Sequence, residues 1–330
     1  MKRLVAIEVT ADYVRGVELE NPLTSNPELI RFGEVALPQG AAGESEVFEM
    51  DVVKEALKEL WKLQKFSTTT VALGFGGRKV LVRDFETPLA EIEKIRSKLK
   101  FEAANLLPAQ MGEAMLDFYP TNLKVSEAGL DLVEGLLIAA PKEPVEQLIA
   151  VVQSAGLEVQ LVDYLAFGIS RIARKAFGTD GEYLLVNVKE YSTDIIALKY
   201  GVPQMVRMIP NGLTTRPQKN GKHTGVADST ASFSGENTVA DPVGSVIAGV
   251  RNTLSFYTGR GGSPTAILLA GEGALSPELQ ERLPQSLQLP AGLLNMSNAI
   301  ELKGKNSDKE STLQAASLSI LGVGMRGLKG

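Results

Sequence analysis

With 330 residues, 44% hydrophobic and 22% charged, the chain has the composition of a folded globular protein and the length of two domains. Its net charge of -5, with lysine and arginine scattered, leaves no basic stripe to neutralise a phosphate backbone, so no nucleic-acid partner is expected. The absence of cysteine excludes disulfides, thiolate catalysis and cysteine-ligated metals, and the single histidine, His223, sits in a polar Gly-, Thr- and Ser-rich stretch that reads as a solvated loop.

Leu4 to Ile7, the first apolar run, is broken by Glu8 and is too short for a signal peptide; no window approaches the ~18 apolar residues of a membrane span. A cytoplasmic protein is expected. Leu4 to Thr10, Val14 to Leu19 and Leu29 to Leu37 read as an opening β-meander. Val52, Val53, Ala56, Leu57, Leu60 and Trp61 recur at helical spacing between Asp51 and Leu63, which puts Trp61 on a core face. Thr69 to Leu73 and Lys79 to Phe85 read as strands around Gly74-Phe-Gly-Gly77, glycines that fit a hairpin better than a phosphate loop, with Phe75 pointing outward as a hint of a peptide groove.

Thr87 as a cap and Pro88 at the first helical position predict a helix running to Leu107 and stopped by Pro108. Ala114 to Tyr119 and Leu130 to Ala139 read as paired strands, Glu143 to Ala155 as a helix ended by Gly156, and Glu158 to Val162 as a closing strand. Together Thr87 to Asp163 form a compact inserted unit. The acids Asp117, Asp131 and Glu134 and the mixed charges from Glu91 to Lys100 read as solvated surface. After a connecting helix, Ala166 to Ala176, the strands Tyr183 to Val188, Asp194 to Tyr200 and Pro203 to Ile209 repeat the opening meander, which points to two related halves. Leu213 to Ser245 is too polar to offset its ordering entropy and is expected to be a flexible excursion. Val246 to Tyr257, Pro277 to Leu283 and Thr312 to Leu328 read as helices, and Ala266 to Ala270 as a buried strand.

Four segments carry a family resemblance: Lys100-Phe-Glu-Ala-Ala-Asn-Leu-Leu-Pro108, Val250-Arg-Asn-Thr-Leu-Ser-Phe-Tyr257, Leu268-Leu-Ala-Gly-Glu-Gly-Ala-Leu-Ser-Pro-Glu-Leu279, and the close from Leu313 through Arg326-Gly-Leu328. In this order the chain resembles the actin, hexokinase and heat-shock chaperone superfamily over nearly its whole length. Within it, the chain is similar to the PilM family of type IV pilus assembly proteins, relatives of the cell-division protein FtsA. The resemblance implies an α/β, two-lobed actin-like (ribonuclease H-like) fold with an inserted α/β subdomain in the first lobe. Residues 1-85 and 164-180 would form the first lobe, 86-163 the insert and 181-330 the second lobe, with the polar tract at about 213-245.

In that superfamily a nucleotide lies between the halves, held by two hairpin turns and a late glycine turn through backbone amides and a carboxylate around magnesium. Carried onto this chain, the positions are Glu8 and Thr10, Asn187 and Lys189, and Gly271 and Gly273. Where the family shows Asp and Gly, the first turn has Glu8 and a β-branched Thr10; the second has Asn187 and Lys189, with Glu190 beside it to repel phosphate. The site is expected to be degenerate. No catalytic residue or metal ligand is assigned, no cofactor is required, and ATP with magnesium is the one candidate.

The resemblance therefore implies a cytoplasmic scaffold, peripheral at the inner membrane only through its partners. It would bind the cytoplasmic N-terminal segment of a PilN-type inner-membrane protein in a groove between first lobe and insert, walled by Val71 to Phe85 and Val159 to Leu165. Self-association stays open. The alternative is an actin-like ATPase or superfamily kinase, against which Asn187 and Lys189 count. A filament former of the FtsA kind is a third reading, weakened because the sequence closes at Lys329-Gly330 on no amphipathic membrane helix.

Overall fold

The computed structural model describes residues 3–24, 26–103, 106–108, 111–214, 241–300 and 311–326. Both meanders form, their β-rich apolar runs buried almost throughout. The first is β1 (Arg3–Val9), β2 (Tyr13–Glu20) and β3 (Glu28–Ala36), followed by the two-residue strands β4 (Ala42–Gly43) and β5 (Glu46–Val47), helix α1 (Met50–Gln64) and strand β6 (Thr70–Phe75). Val53, Ala56, Leu57 and Leu60 bury one face of α1, and Trp61, half-buried, sets its ring edge-on to Phe66 while its Nε1 donates to the Thr68 carbonyl.

Strand β7 (Leu81–Pro88), α2 (Ile92–Glu102), β8 (Ala114–Val125) and β9 (Asp131–Pro141) build a separate three-stranded sheet of order β7-β9-β8, with α2 laid on one face through Ile95 and Leu99. Helix α3 (Lys142–Ser154) and strand β10 (Glu158–Tyr164) then return the chain to the first lobe, where the five-stranded sheet has the order β10-β6-β1-β2-β3. After α4 (Leu165–Phe177), the second meander comprises β11 (Glu182–Val188), β12 (Thr193–Lys199) and β13 (Val202–Ile209). Helix α5 (Pro242–Thr258), strand β14 (Ala266–Ala270), the 3-10 turn Glu272–Leu275, α6 (Pro277–Leu287), β15 (Ala291–Leu293), α7 (Met296–Ala299), α8 (Ser311–Ala316) and α9 (Leu318–Gly324) complete the described chain.

The second sheet, β13-β12-β11-β14-β15, repeats the strand order of the first element for element: three antiparallel strands, then two parallel ones. Val9 faces Val14 across the first turn and Val188 faces Thr193 across the second, so Glu8 and Asn187 occupy equivalent positions, as do Thr10 and Lys189.

Several expectations are corrected. Thr87 and Pro88 do not open a helix; they finish β7, paired with Val133 and Leu132, because the ladder to β9 uses their backbone and the Thr87 hydroxyl instead donates to Glu102. Helix α2 starts at Ile92 and ends at Glu102, short of Leu107 and Pro108. Gly74 to Gly77 is no hairpin, since β6 and β7 lie in different sheets, and Phe75 is buried rather than outward. Strand β7, grouped by sequence mostly with the first lobe, belongs to the inserted sheet; β10, grouped with the insert, pairs parallel with β6. Helix α5 begins at Pro242, ahead of Val246, because the Asp241 side chain accepts from Gly244 N and caps it. The final helix is split at Ser317, whose hydroxyl bonds back to the Leu313 carbonyl. The rest of the polar tract with His223, and Gly327 and Leu328, lie outside the described residues.

Helices α4 and α9 cross in the core between the sheets, where Ile169, Ile172, Leu318 and Leu321 are buried. The crossing is close because both contact residues are glycines: a Cβ on Gly322 would lie 1.8 Å from the Gly168 carbonyl oxygen. Gly322→Ala is expected to lower unfolding free energy by about 2 to 3 kcal/mol through overpacking, measured by urea denaturation, whereas Ala on the open Gly292 should leave it nearly unchanged.

Candidate functional site

The two hairpin turns face one another across the cleft between the sheets. In the first turn Thr10 is spent on local structure: its amide donates to the Tyr13 carbonyl at 2.8 Å and its hydroxyl accepts from Tyr13 N at 3.0 Å. In the second, the Lys189 amide donates to the Ser192 carbonyl at 2.9 Å. Neither of these amides is left for an anion.

The side chains of the cleft pair with one another. Buried Glu8 accepts from Arg15 Nη1 at 3.3 Å, directly across the β1–β2 ladder. Arg15 also donates through Nε to Glu34 at 2.8 Å and through Nη2 to Glu272 of the second lobe at 3.5 Å. Burial pushes the Glu8 carboxyl up against the opposing pull of that guanidinium. At the equivalent place in the second lobe Asn187 donates to Asp194 at 3.3 Å and lies 3.4 Å from Ser319. Lys189 reaches Asp194 at 3.2 Å and crosses the cleft to Glu44 at 3.5 Å. Burial alone would lower the Lys189 ammonium, but Asp194 and Glu44 outweigh it and raise its pKa. Tyr191 donates to Asp12 at 2.7 Å and Ser192 to Glu44 at 2.6 Å, two more bonds between the lobes.

Gly271 holds φ +82°, and a Cβ there would sit 2.3 Å from the Val188 carbonyl oxygen; at Gly273 it would sit 2.5 Å from the Val188 side chain. Both glycines are thus required for seating the late turn against β11, with or without a ligand. The structure brings five of the six sequence-selected positions, Glu8, Thr10, Asn187, Lys189 and Gly271, to the lining of one cleft, while Gly273 packs behind it against Val188 and Leu213. What remains open between them is a cavity of about 40 Å³, lined by the carboxylates Glu8, Asp12, Glu44, Glu190 and Glu272 and the cations Arg15 and Lys189. That is room for roughly one water, where small-molecule pockets run to about 300 Å³ or more. Sequence reasoning missed Arg15 and Glu44, which belong to no motif, and Glu272, which sits inside the late glycine turn but was given no role; only the register of β1 on β2 and the approach of the lobes brings them to the cleft.

A larger opening lies between the first lobe and the inserted sheet, a groove of about 410 Å³. From the expected walls, Phe75, Val80, Val162 and Tyr164 line it, while Val71 and Val159 turn into the core. The Phe167 ring packs against Tyr119 at 4.6 Å and Tyr164 at 5.4 Å to make an aromatic floor. Three further elements contribute that the sequence did not single out: Met115 to Pro120 of β8, the Val145 and Ile149 face of α3, and a polar corner where Asp163 bonds both Arg171 and Arg326. Of the acids read as solvated, Asp117 also lines the groove and pairs with Arg96 at 2.6 Å, and Glu134 pairs with Lys124 at 3.1 Å.

The family of type IV pilus assembly protein PilM matches residues 6–199. The chain belongs to this family. Among solved structures, one titled "PilM-PilN type IV pilus biogenesis complex" is similar at TM-score 0.79 and 21% identity, covering 99% of this chain and 99% of that one. The ethanolamine utilization protein EutJ from Carboxydothermus hydrogenoformans is similar at TM-score 0.50 and 11% identity over 99% and 90% of the two chains. A Bacteroides thetaiotaomicron VPI-5482 protein with actin-like ATPase fold and unknown function aligns at TM-score 0.47 and 11% identity over 91% and 92%. The fold is actin-like, a mixed α/β architecture built on two equivalent sheets.

In this PilM-family chain Glu190 faces Asp12 across the cleft, and burial, then that carboxylate, pushes Glu190 up to about 7 from 4.5. A folded pKa above the unfolded value means this contribution is complete below the unfolded pKa and is lost as pH rises through the folded one. Thermal stability should accordingly fall between about pH 5 and about pH 8, and Glu190→Gln, which keeps a donor toward Asp12 without titrating, should flatten that decline when Tm is followed by calorimetry.

Proposed function

We propose that this chain is a scaffold of a type IV pilus or related assembly machine, holding the cytoplasmic N-terminal segment of a PilN-type inner-membrane protein in the groove between the first lobe and the inserted sheet. The observation that carries this reading is the groove itself. Its 410 Å³ are floored by Tyr119, Tyr164 and Phe167, and it is lined by β8 and β10, each an edge strand of its own sheet. Edge strands offer free backbone donors and acceptors to an extended segment, and the apolar floor offers pockets for its alternate side chains. The similar PilM-PilN complex supports the choice of partner class.

The cleft supports a structural rather than a catalytic role. A triphosphate would have to displace the Arg15–Glu272 and Lys189–Glu44 pairs and then face five carboxylates in about 40 Å³, with the Thr10 and Lys189 amides already bonded. In this reading ATP hydrolysis has been lost. Among the described residues no helix is long and apolar enough to cross a membrane, so the chain would sit at the inner membrane through its partner.

Calorimetry with a synthetic peptide of the partner's cytoplasmic N-terminus tests both halves of the reading. Binding should weaken at least about tenfold in Met115→Glu and in Ile149→Glu, which place a charge on the apolar walls while the fold persists by circular dichroism. Micromolar Mg-ATP affinity with turnover, or peptide binding indifferent to both substitutions, would overturn it.

A further inference from the structure

Where the inserted sheet meets the second lobe, β7, β13 and the end of α5 form a pocket of about 90 Å³. Its floor is apolar, from Val82, Leu136 and Met205, and its rim carries Arg83, Arg207 and Arg260 around Phe256, a ring left 40% exposed. The Arg207 guanidinium stacks on that ring, 3.6 Å from its centroid, which leaves its in-plane N–H groups directed outward around the edge. Arg260 is paired with Asp84. Arg83 and Arg207 pair with no carboxylate of the described residues; Arg83 donates only to the carbonyl of its neighbour Val82. Three guanidinium groups against one carboxylate leave the rim with a surplus of positive charge, in a chain whose net charge is -5.

We propose that this pocket is a second docking surface, separate from the groove, that takes a glutamate or aspartate side chain from a short acidic segment of a protein partner, with Phe256 as its apolar platform. The volume admits one carboxylate and little more, and the Arg207 fork stacked on an aromatic face, with Arg83 beside it, is an arrangement that recognises a planar anion. Charge on the other side of the seam sets the partner class. Beyond the Arg260–Asp84 bridge, the adjoining cavity is lined by Glu86 and Glu134. A continuous anion laid across the seam, whether a lipid surface or a nucleic-acid backbone, would meet those acids; a segment with its acidic residues confined to one end would not.

The test uses fluorescence anisotropy at low salt, with a fluorescein-labelled peptide of alternating glutamate and glycine ending in lysines, its glutamine counterpart, inorganic phosphate as competitor and phosphatidylglycerol vesicles. The glutamate peptide should bind the wild-type chain, bind at least about tenfold more weakly to Arg83→Glu/Arg207→Glu, and bind undiminished to Ile149→Glu, which separates this surface from the groove. The milder Arg83→Gln/Arg207→Gln variant guards against misfolding and should lose affinity in the same direction. Equal binding of wild type and both arginine variants, no binding of the peptide, competition by phosphate at equal concentration, or a preference for vesicles would each overturn the proposal.

Discussion

A buried guanidinium holds this molecule together. Arg15 reaches two carboxylates of its own lobe, Glu8 and Glu34, and one of the other, Glu272, while both Arg15 and Glu272 are withdrawn from water. Removing one partner from a buried ion pair costs about 3 to 5 kcal/mol, because the charge left behind has neither water nor counter-ion. Lys189 repeats the arrangement from the opposite side, bound to Asp194 of its own lobe and Glu44 of the first. The lobes are therefore tied by charges that cannot be separated cheaply.

That constraint reaches the groove through two helices. Helix α4 starts at the cleft with Leu165 and carries Phe167 and Arg171 to the groove; α9 brings Ser319 to the cleft, and Arg326 just beyond it lines the groove. The Gly168 and Gly322 crossing, with Arg171 Nε bonded to the Gly322 carbonyl at 2.8 Å, leaves little freedom for one helix to slide on the other. A cleft closed by ion pairs thus steadies an aromatic floor that begins within the first turn of α4, and a preformed groove saves a binding segment the cost of ordering its receptor.

Local patterns in the sequence were sound where burial shaped an element directly. Strands β1, β2, β11 and β12, buried on both faces, were legible as short β-rich apolar runs, and α1 by the helical spacing of its one buried face. The boundaries that failed were those decided by a partner strand or side chain. Thr87 and Pro88 carry helix-start chemistry, yet the ladder to β9 outweighed it; Asp241 extended α5 by capping it; Ser317 broke the last helix by bonding back to Leu313. Phe75 next to two glycines looked exposed, and it is buried.

By itself the sequence determined the two equivalent meanders and the unit inserted between them, which depend on residue type and spacing, while the departures at Thr10, Asn187 and Lys189 were read against the family resemblance. Only the tertiary structure decided what those departures do. Arg15, Glu44 and Glu272 are far apart along the chain; packing of one lobe on the other sets Arg15 against Glu272 and Glu44 against Lys189 and fills the cleft. The groove likewise depends on two edge strands from different sheets lining one opening, a juxtaposition no local periodicity encodes.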